Sequence, residues 1–426
     1  METFEIKTFG CKTNASESAI IAEKLEKEGF SQNRGDNPGI FIVNSCSVTG
    51  EADKKALSAL KSAKNKGCVT VLTGCFAQLN PALREKYDFV DFIVGNAEKY
   101  DIPEILKNNV HDAVSDIFEQ KKFVFEKFST TSKTRAVVKV QDGCNNRCSY
   151  CTICLARGKS RSASEDDVIS QIEDLTKAGF NEVVITGIHV GQWGEDLLPA
   201  RTLADLLDKI EKTDIKSYRL GSLDPNELSD EFIDFLSISD KFCPHFHLSL
   251  QSLNDKTLKK MNRHYGFEKI AHVINYINDK FENSFLGCDI IVGFPGETRE
   301  DFELTKERLK NLGLSQIHVF PYSKRPGTTA FSMPEQVETS EKHNRVLEVK
   351  NISEQKHAEF LQKNIGSECY VTIEKKLDRK TGLYKAVTPN YIKVLVKSDE
   401  DIKNKYLKIV LDRVSGENVE ASVVSG

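Results

Sequence analysis

From its start to about position 335 the chain alternates short apolar runs with helix-length stretches, and this alternation limits the fold more than any other feature. A parallel pair of strands needs a long crossover, commonly a helix, so the pattern predicts an α/β protein with parallel sheets. Residues 1–125 hold candidate strands at 4–9, 40–43, 69–73 and 89–94, with helices at 16–28 and 51–64. Residues 131–362 continue with candidate strands at 136–140, 182–186, 217–220, 245–251, 288–293 and 316–320, then a charged helical connector at 341–363. Six such units fit either an open (β/α)6 barrel or a large doubly wound sheet. Residues 365–426 change character. Short strands at 370–373, 384–387, 391–396 and 408–414, broken by Asp, Lys and Gly, predict a small all-β barrel of a kind that often contacts RNA.

Composition narrows the class. Of the 426 residues, 39% are hydrophobic and 29% charged, ordinary values for a soluble globular protein. No stretch approaches the roughly 18 apolar residues that cross a bilayer. The start, METFEIKTFGCKTN, lacks the basic and apolar regions of a secretion signal, so a cytoplasmic protein without membrane contact is expected. In that compartment the 11 cysteines are thiols, metal ligands or catalytic groups rather than disulfides. The net charge of −4 gives no bulk attraction to nucleic acid, but residues 366–426 carry 11 Lys and Arg against 9 Asp and Glu. RNA contact would therefore use a local surface.

The sharpest motif is Cys144-Asn-Asn-Arg-Cys148-Ser-Tyr-Cys151, a C-x3-C-x2-C run directly after a candidate strand. That places it on a loop at the carboxyl end of a β/α unit, where such folds do chemistry. Three thiolates on one short loop can hold three corners of a cubic iron–sulfur cluster and leave one iron open. An open iron can bind the amino and carboxylate groups of S-adenosylmethionine and pass it an electron. Cys154 adds one more C-x2-C step, so a closed four-cysteine zinc site competes with this reading.

Three further cysteines share a context. Cys11, Cys46 and Cys75 each follow an apolar strand closely, at spacings of 35 and 29 residues. Neighbouring parallel strands would bring all three to one sheet edge. Chance is the competing account, since free Cys is common in cores. Cys68, Cys243, Cys288 and Cys369 read as structural. In residues 245–251, His245, His247, Ser249 and Gln251 share one face, and Phe246, Leu248 and Leu250 the other. Tyr150, Gly187, Gln251 and Gly293, beside the cysteines or at strand ends, are the candidate cofactor contacts. Gly293 opens a Gly-Phe-Pro-Gly turn, with Thr298 and Asp301 set to cap the next helix. His189 reads equally as a structural histidine. Arg157, Lys159, Arg161, Lys324 and Arg325 are candidates for phosphate or for the carboxylate of S-adenosylmethionine.

Over nearly its whole length the chain resembles the radical-SAM methylthiotransferase family. The similar segments are Ala156-Arg157-Gly158-Lys159-Ser160-Arg161, Gly-Cys-Lys-Thr-Asn at Cys11, Asn-Ser-Cys-Ser-Val-Thr at Cys46 and Gly-Cys-Phe-Ala-Gln at Cys75. It departs at Cys154, where the family usually has proline. The resemblance implies a central partial (β/α)6 TIM-like radical-SAM barrel between an N-terminal parallel sheet and a C-terminal TRAM-like RNA-binding barrel. It implies two [4Fe–4S] clusters. One, on Cys144, Cys148 and Cys151, cleaves S-adenosylmethionine. The other, on Cys11, Cys46 and Cys75, carries the transferred sulfur, so all six cysteines are catalytic. An electron donor such as flavodoxin or ferredoxin and a sulfur source are further implied partners. The stretches at 262–265 and 319–328 look most like the type that methylthiolates C2 of N6-threonylcarbamoyladenosine at position 37, in the anticodon loop of tRNA. Types acting on isopentenyladenosine in tRNA or on a ribosomal-protein aspartate are the alternatives. A zinc-stabilised RNA-binding protein is the non-enzymatic one.

Overall fold

The computed structural model describes residues 2–33, 38–47, 49–129 and 134–424. The first sheet comprises β1 (Thr3–Phe9), β2 (Ser31–Gln32), β3 (Ile40–Ser45), β4 (Val69–Gly74), β5 (Phe92–Val94) and β6 (Asp112–Ala113). All pairings are parallel, in the order β2-β1-β3-β4-β5-β6. β3 shows why its residues must be a central strand. Ile40 and Ile42 enter the core beneath the helix Lys12–Lys27, while Phe41 and Val43 enter a second core beneath Gly50–Asn65. A strand buried on both faces reads as an unbroken apolar run for this reason.

The second region has β7 (Ala136–Lys139), β8 (Gln141–Asp142), β9 (Arg161–Ser162), β10 (Glu182–Thr186), β11 (Ser217–Leu220), β12 (Ser222–Leu223), β13 (His245–Gln251), β14 (Phe285–Val292) and β15 (Gln316–Pro321). β11 and β12 are one strand bent at Gly221. They join the set β11-β10-β7 to the set β12-β13-β14-β15, parallel throughout. Strand order thus follows chain order across the wall. That is an open barrel, since a doubly wound sheet reverses its order at a switch point. From Phe246 on, β13 alternates as its sequence predicts, but His245, expected on the polar face, is buried at the start of the strand. Phe246, Leu248 and Leu250 are fully buried, whereas His247, Ser249 and Gln251 stay half-exposed.

The third region is a curled half-barrel of β16 (Glu368–Thr372), β17 (Tyr384–Val387), β18 (Lys393–Lys397), β19 (Tyr406–Ser415) and β20 (Asn418–Val423), in the order β16-β19-β20-β18-β17. The sequence reading missed β20. Its signal was the two-residue Gly416-Glu417 loop, whose glycine has φ 63° and suits a tight hairpin. The first helix starts at Lys12, four residues before the Ser16 that the sequence pattern predicts. Thr13 and Asn14 resemble turn formers, but Asn14 is held inside the helix by Asn44.

The half-barrel docks on the barrel through Arg219. Its guanidinium is buried and donates to Glu182 Oε1 at 2.6 Å and to the carbonyls of Thr388 and Pro389, both at 2.7 Å. Tyr391, at φ 67°, stacks its ring 4.1 Å from the His245 ring. Replacing Arg219 with Ala takes the closest partner from a buried carboxylate, leaving it only Arg135 at 3.8 Å, and removes a donor from two carbonyls. We expect a loss on the order of 3–5 kcal/mol in denaturant unfolding, with faster proteolysis of the half-barrel. An unchanged unfolding curve would contradict this account of the docking.

Candidate functional site

β1, β3 and β4 are neighbours, and Phe9, Ser45 and Gly74 stand in register across them. Cys11, Cys46 and Cys75 follow those residues, so the three thiols share the carboxyl edge of the sheet. Local geometry fixes each loop. Cys11 begins the helix Lys12–Lys27, and Asn14 Oδ1 lies 3.3 Å from both its backbone N and its sulfur. The Asn14 amide donates to Asn44 Oδ1 at 3.0 Å, and Asn44 returns a bond to the Asn14 carbonyl at 3.0 Å, tying the Cys11 loop to the Cys46 strand. Gly74 has φ 92°, and a Cβ there would stand 2.5 Å from the Ser45 carbonyl oxygen, so only glycine delivers Cys75.

The other three cysteines lie on the loop after β8. Gly143 starts that loop at φ 76°, where a Cβ would overlap the Lys159 carbonyl. The far side is pinned by Ser149, whose N donates to Met261 O at 3.0 Å and whose carbonyl accepts from Ala330 N at 2.7 Å. Burial pushes the Cys144 thiol up to about 11 and Cys151 higher still. These sulfurs become thiolates when a metal replaces the proton. Cys154 is buried in the short helix Ile153–Arg157, with Cys144 and Cys151 within electrostatic reach.

Between the two cysteine sets lies a buried ion cluster that the sequence did not announce. Arg157 ends the helix after the Cys151 loop, and its Nε donates to Cys75 Sγ at 3.2 Å. Its Nη1 lies 2.7 Å from Glu17 Oε1 and 3.0 Å from Asp142 Oδ1. Lys99 and Lys139 approach Glu17 at 2.7 and 3.1 Å, and Lys139 reaches Asp142 at 3.1 Å. Burial alone would raise the Glu17 carboxyl, but Arg157, Lys99 and Lys139 outweigh it and hold it well below its ordinary 4.5. Asn96 adds a bond to the Ala156 carbonyl at 2.7 Å and lies 3.9 Å from Cys75 Sγ.

Several basic residues expected to meet phosphate or cofactor are internal instead. Arg157 and Arg161 are buried, and Arg161 spends its donors on the carbonyls of Arg157, Lys159 and Gln120. Arg325 is buried against Ser47 Oγ and Asp53 Oδ2, both at 2.6 Å, which fastens the Cys46 loop to the end of the barrel. Lys324 lies over the Phe331 ring at 4.8 Å. Among the candidate cofactor contacts, Tyr150 packs on Met261, Phe294 and Tyr322. Gly187 backs onto Gln141, Gly293 is braced by Glu297, and Gln251 ends β13 at φ 64°.

A cavity of about 230 Å³ opens beside Cys148, lined by Asn146, His189, Asp224, Glu227, Asn262 and Arg263 among others. Arg263 donates to Cys148 Sγ at 3.4 Å and pairs with Asp224. Burial pushes the Glu227 carboxyl up to about 7, and His189 Nδ1 faces its Oε1 at 3.1 Å. None of the four candidate cofactor contacts lines this cavity. A second cavity of about 590 Å³ lies between the barrel wall at Val137, Val184 and Arg219, the helix start at Lys12, and strands β17 and β18. Its other cations are Arg135, Lys375, Lys376, Lys385 and Lys393, against the carboxylates Glu374 and Asp378.

The ion cluster generates a test. Glu17→Gln leaves three buried cations facing one carboxylate, and we expect it to cost on the order of 3–5 kcal/mol at neutral pH. Because the native Glu17 carboxyl is depressed, its contribution is complete above 4.5 and fades as pH falls toward its native value. The gap between parent and variant in chemical denaturation should therefore narrow on acidification below about pH 4. A gap that is small at pH 7, or widens in acid, would contradict the arrangement.

Residues 138–309 match the model of the Radical SAM superfamily, and residues 3–95 match that of Uncharacterized protein family UPF0004. The chain is 33% identical, over 96% of its length and 93% of the relative's, to threonylcarbamoyladenosine tRNA methylthiotransferase MtaB of Bacillus subtilis (strain 168). The protein of that name from Thermotoga maritima is 37% identical over 88% of this chain and 87% of its own. A tRNA-2-methylthio-N(6)-dimethylallyladenosine synthase of Clostridium tetani is 35% identical over 85% of this chain and 84% of its own. In fold, the chain is similar to the radical S-adenosylmethionine methyltransferase TsrM of Kitasatospora setae, with TM-score 0.57, 14% identity and coverage of 78% and 77% of the two chains. With sequence likeness spanning both cysteine-bearing regions, the chain belongs to the radical-SAM methylthiotransferase family.

Proposed function

We propose that this enzyme transfers a methylthio group to C2 of N6-threonylcarbamoyladenosine at position 37 of tRNA. The observation that carries the reading is the single buried ion cluster that locks two separate three-cysteine sites together through Arg157. Methylthiolation needs one site to activate the C–H bond and a second, nearby, to deliver sulfur. When bound, [4Fe–4S] clusters at the two sites and S-adenosylmethionine supply the radical, the methyl group and the sulfur.

The residues present fit those groups. Soft sulfur ligands stand on loops at strand ends, and the buried atoms Ser45 Oγ, Thr73 Oγ1 and Asn96 Oδ1 near Cys46 and Cys75 find no hydrogen-bond partner among the described residues. Cys144, Cys148 and Cys151 would hold one cluster and Cys11, Cys46 and Cys75 the other. The cavity beside Cys148 would take S-adenosylmethionine, with Arg263 facing its carboxylate, and Asp224 and Glu227 near its positive groups. The cation-lined cavity would receive the anticodon loop, where phosphates meet lysines and an unstacked base enters the barrel.

Among the described residues, no helix is long and apolar enough to cross a membrane. A cytoplasmic setting suits the work, with a flavodoxin or ferredoxin as electron donor and a separate sulfur source.

The experiment is nucleoside mass spectrometry of tRNA from a host without its own methylthiotransferases, with and without this chain. We expect the 2-methylthio derivative of threonylcarbamoyladenosine, and its loss when any one of the six cysteines becomes Ala. Methylthiolation of isopentenyladenosine alone, or of a ribosomal protein alone, would overturn the substrate reading.

A further inference from the structure

We propose that Arg157 sets the reduction potential of the iron–sulfur group held at Cys75, as a positioning residue that acts through the ligand sulfur. This rests on the function proposed above and adds how one of its two sites is tuned. An electron added to such a group resides on its irons and sulfurs. Hydrogen bonds to the sulfurs and nearby positive charge therefore ease reduction. Arg157 offers both.

The hydrogen bond is well determined. Arg157 is fully buried, and its Nε donates to Cys75 Sγ at 3.2 Å. Nη1 donates to Glu17 and Asp142, and Nη2 to Glu17 at 3.2 Å. All three nitrogens are thus engaged, which fixes the guanidinium plane with Nε aimed at the sulfur. Asn96 also approaches that sulfur, at 3.9 Å, but its amide donates to the Ala156 carbonyl at the shorter 2.7 Å.

The charge is equally determined. Burial works against the Arg157 cation, but Asp142, Cys75 and Glu17 outweigh it and hold the guanidinium protonated. Burial pushes Lys99 down to about 8, so it too is charged at pH 7. Lys139 is raised, because Asp142, Tyr100 and Glu17 outweigh its burial. Three buried cations therefore face the carboxylates of Glu17 and Asp142, and the unit of charge left over lies beside Cys75. Away from water it is weakly screened. At Cys148 the comparable donor is Arg263, 3.4 Å from the sulfur, and there Asp224 pairs with it. The excess belongs to the Cys75 site.

Two substitutions separate the bond from the charge. In the conformation of Arg157, Arg157→Lys puts a methylene where Nε stands and keeps a cation near Glu17 and Asp142. Arg157→Gln puts an amide nitrogen in that place and carries no charge.

The test is an EPR-monitored redox titration of the full iron-loaded chain. Cys144, Cys148 and Cys151 are changed to Ala, so that the signal comes from the Cys75 site alone, and iron and sulfide are measured in every protein. We expect Arg157→Lys, Arg157→Gln or both to lower the ratio of reduced to oxidised group at a fixed potential about tenfold, a shift of about 59 mV to the negative for a one-electron couple. A shift in one variant alone still supports the assignment and tells whether bond or charge acts. In the reciprocal chain, with Cys11, Cys46 and Cys75 changed to Ala, the same substitutions should leave the titration of the Cys148 site unmoved.

Three results would overturn the inference: an unshifted titration in both variants with iron retained, a loss of iron in both, or an equal shift at the two sites. A chain that binds no iron once Cys144, Cys148 and Cys151 are gone would instead refute the two-site reading on which the inference rests.

Discussion

The structure depends on an ion cluster sealed between two units. Glu17 comes from the helix behind Cys11, Lys99 from the turn after β5, Lys139 and Asp142 from the first strands of the barrel, and Arg157 from the helix after Cys151. Charges this deep are tolerable only when each has partners, and removing one leaves the others stranded. The cluster therefore punishes any relative shift of the N-terminal sheet and the barrel. Its three cations outnumber its two carboxylates, and Arg157 directs the excess at the sulfur of Cys75. An anionic thiolate or cluster there would complete the balance.

This arrangement explains why the two cysteine sets need no shared loop. Each is built at the carboxyl edge of its own parallel sheet, where strand ends and helix starts leave room for a ligand. The cluster, the Asn96 bond to Ala156 and the clasp of Arg325 on Ser47 and Asp53 fix the two edges against each other. Two chemistries on one base require that kind of registration, because a small misplacement of reacting groups costs rate steeply. The half-barrel is held separately, by contacts that include Arg219 and Tyr391, so it hangs from the barrel rather than from the cysteine loops.

Much of this was legible in the sequence. The strand-then-cysteine context at Cys11, Cys46 and Cys75 predicted one sheet edge, and β1, β3 and β4 are neighbours in register. From Phe246 on, the alternation in β13 predicted its inner and outer faces. What stayed hidden has physical reasons. Periodicity does not encode strand order, so barrel and doubly wound sheet looked alike until β11 and β12 joined the two strand sets. Arg157 and Arg325 read as candidates for phosphate or the carboxylate of S-adenosylmethionine because their buried partners lie far along the chain. Glu17 and Arg157 are 140 residues apart. Asn14 and Asn44 fall just outside the predicted helix and strand, and their mutual hydrogen bonds appear only when two strands pair.

On the proposed function, two distinct three-cysteine sites each carry an iron–sulfur cluster. The direct measurement is iron and acid-labile sulfide per chain after anaerobic purification, in the parent and in a variant with Cys11, Cys46 and Cys75 changed to Ala. We expect about eight irons in the parent and about four in the variant, with matching sulfide. Little iron in the parent with zinc in its place, or an iron content that the triple change leaves unaltered, would contradict it.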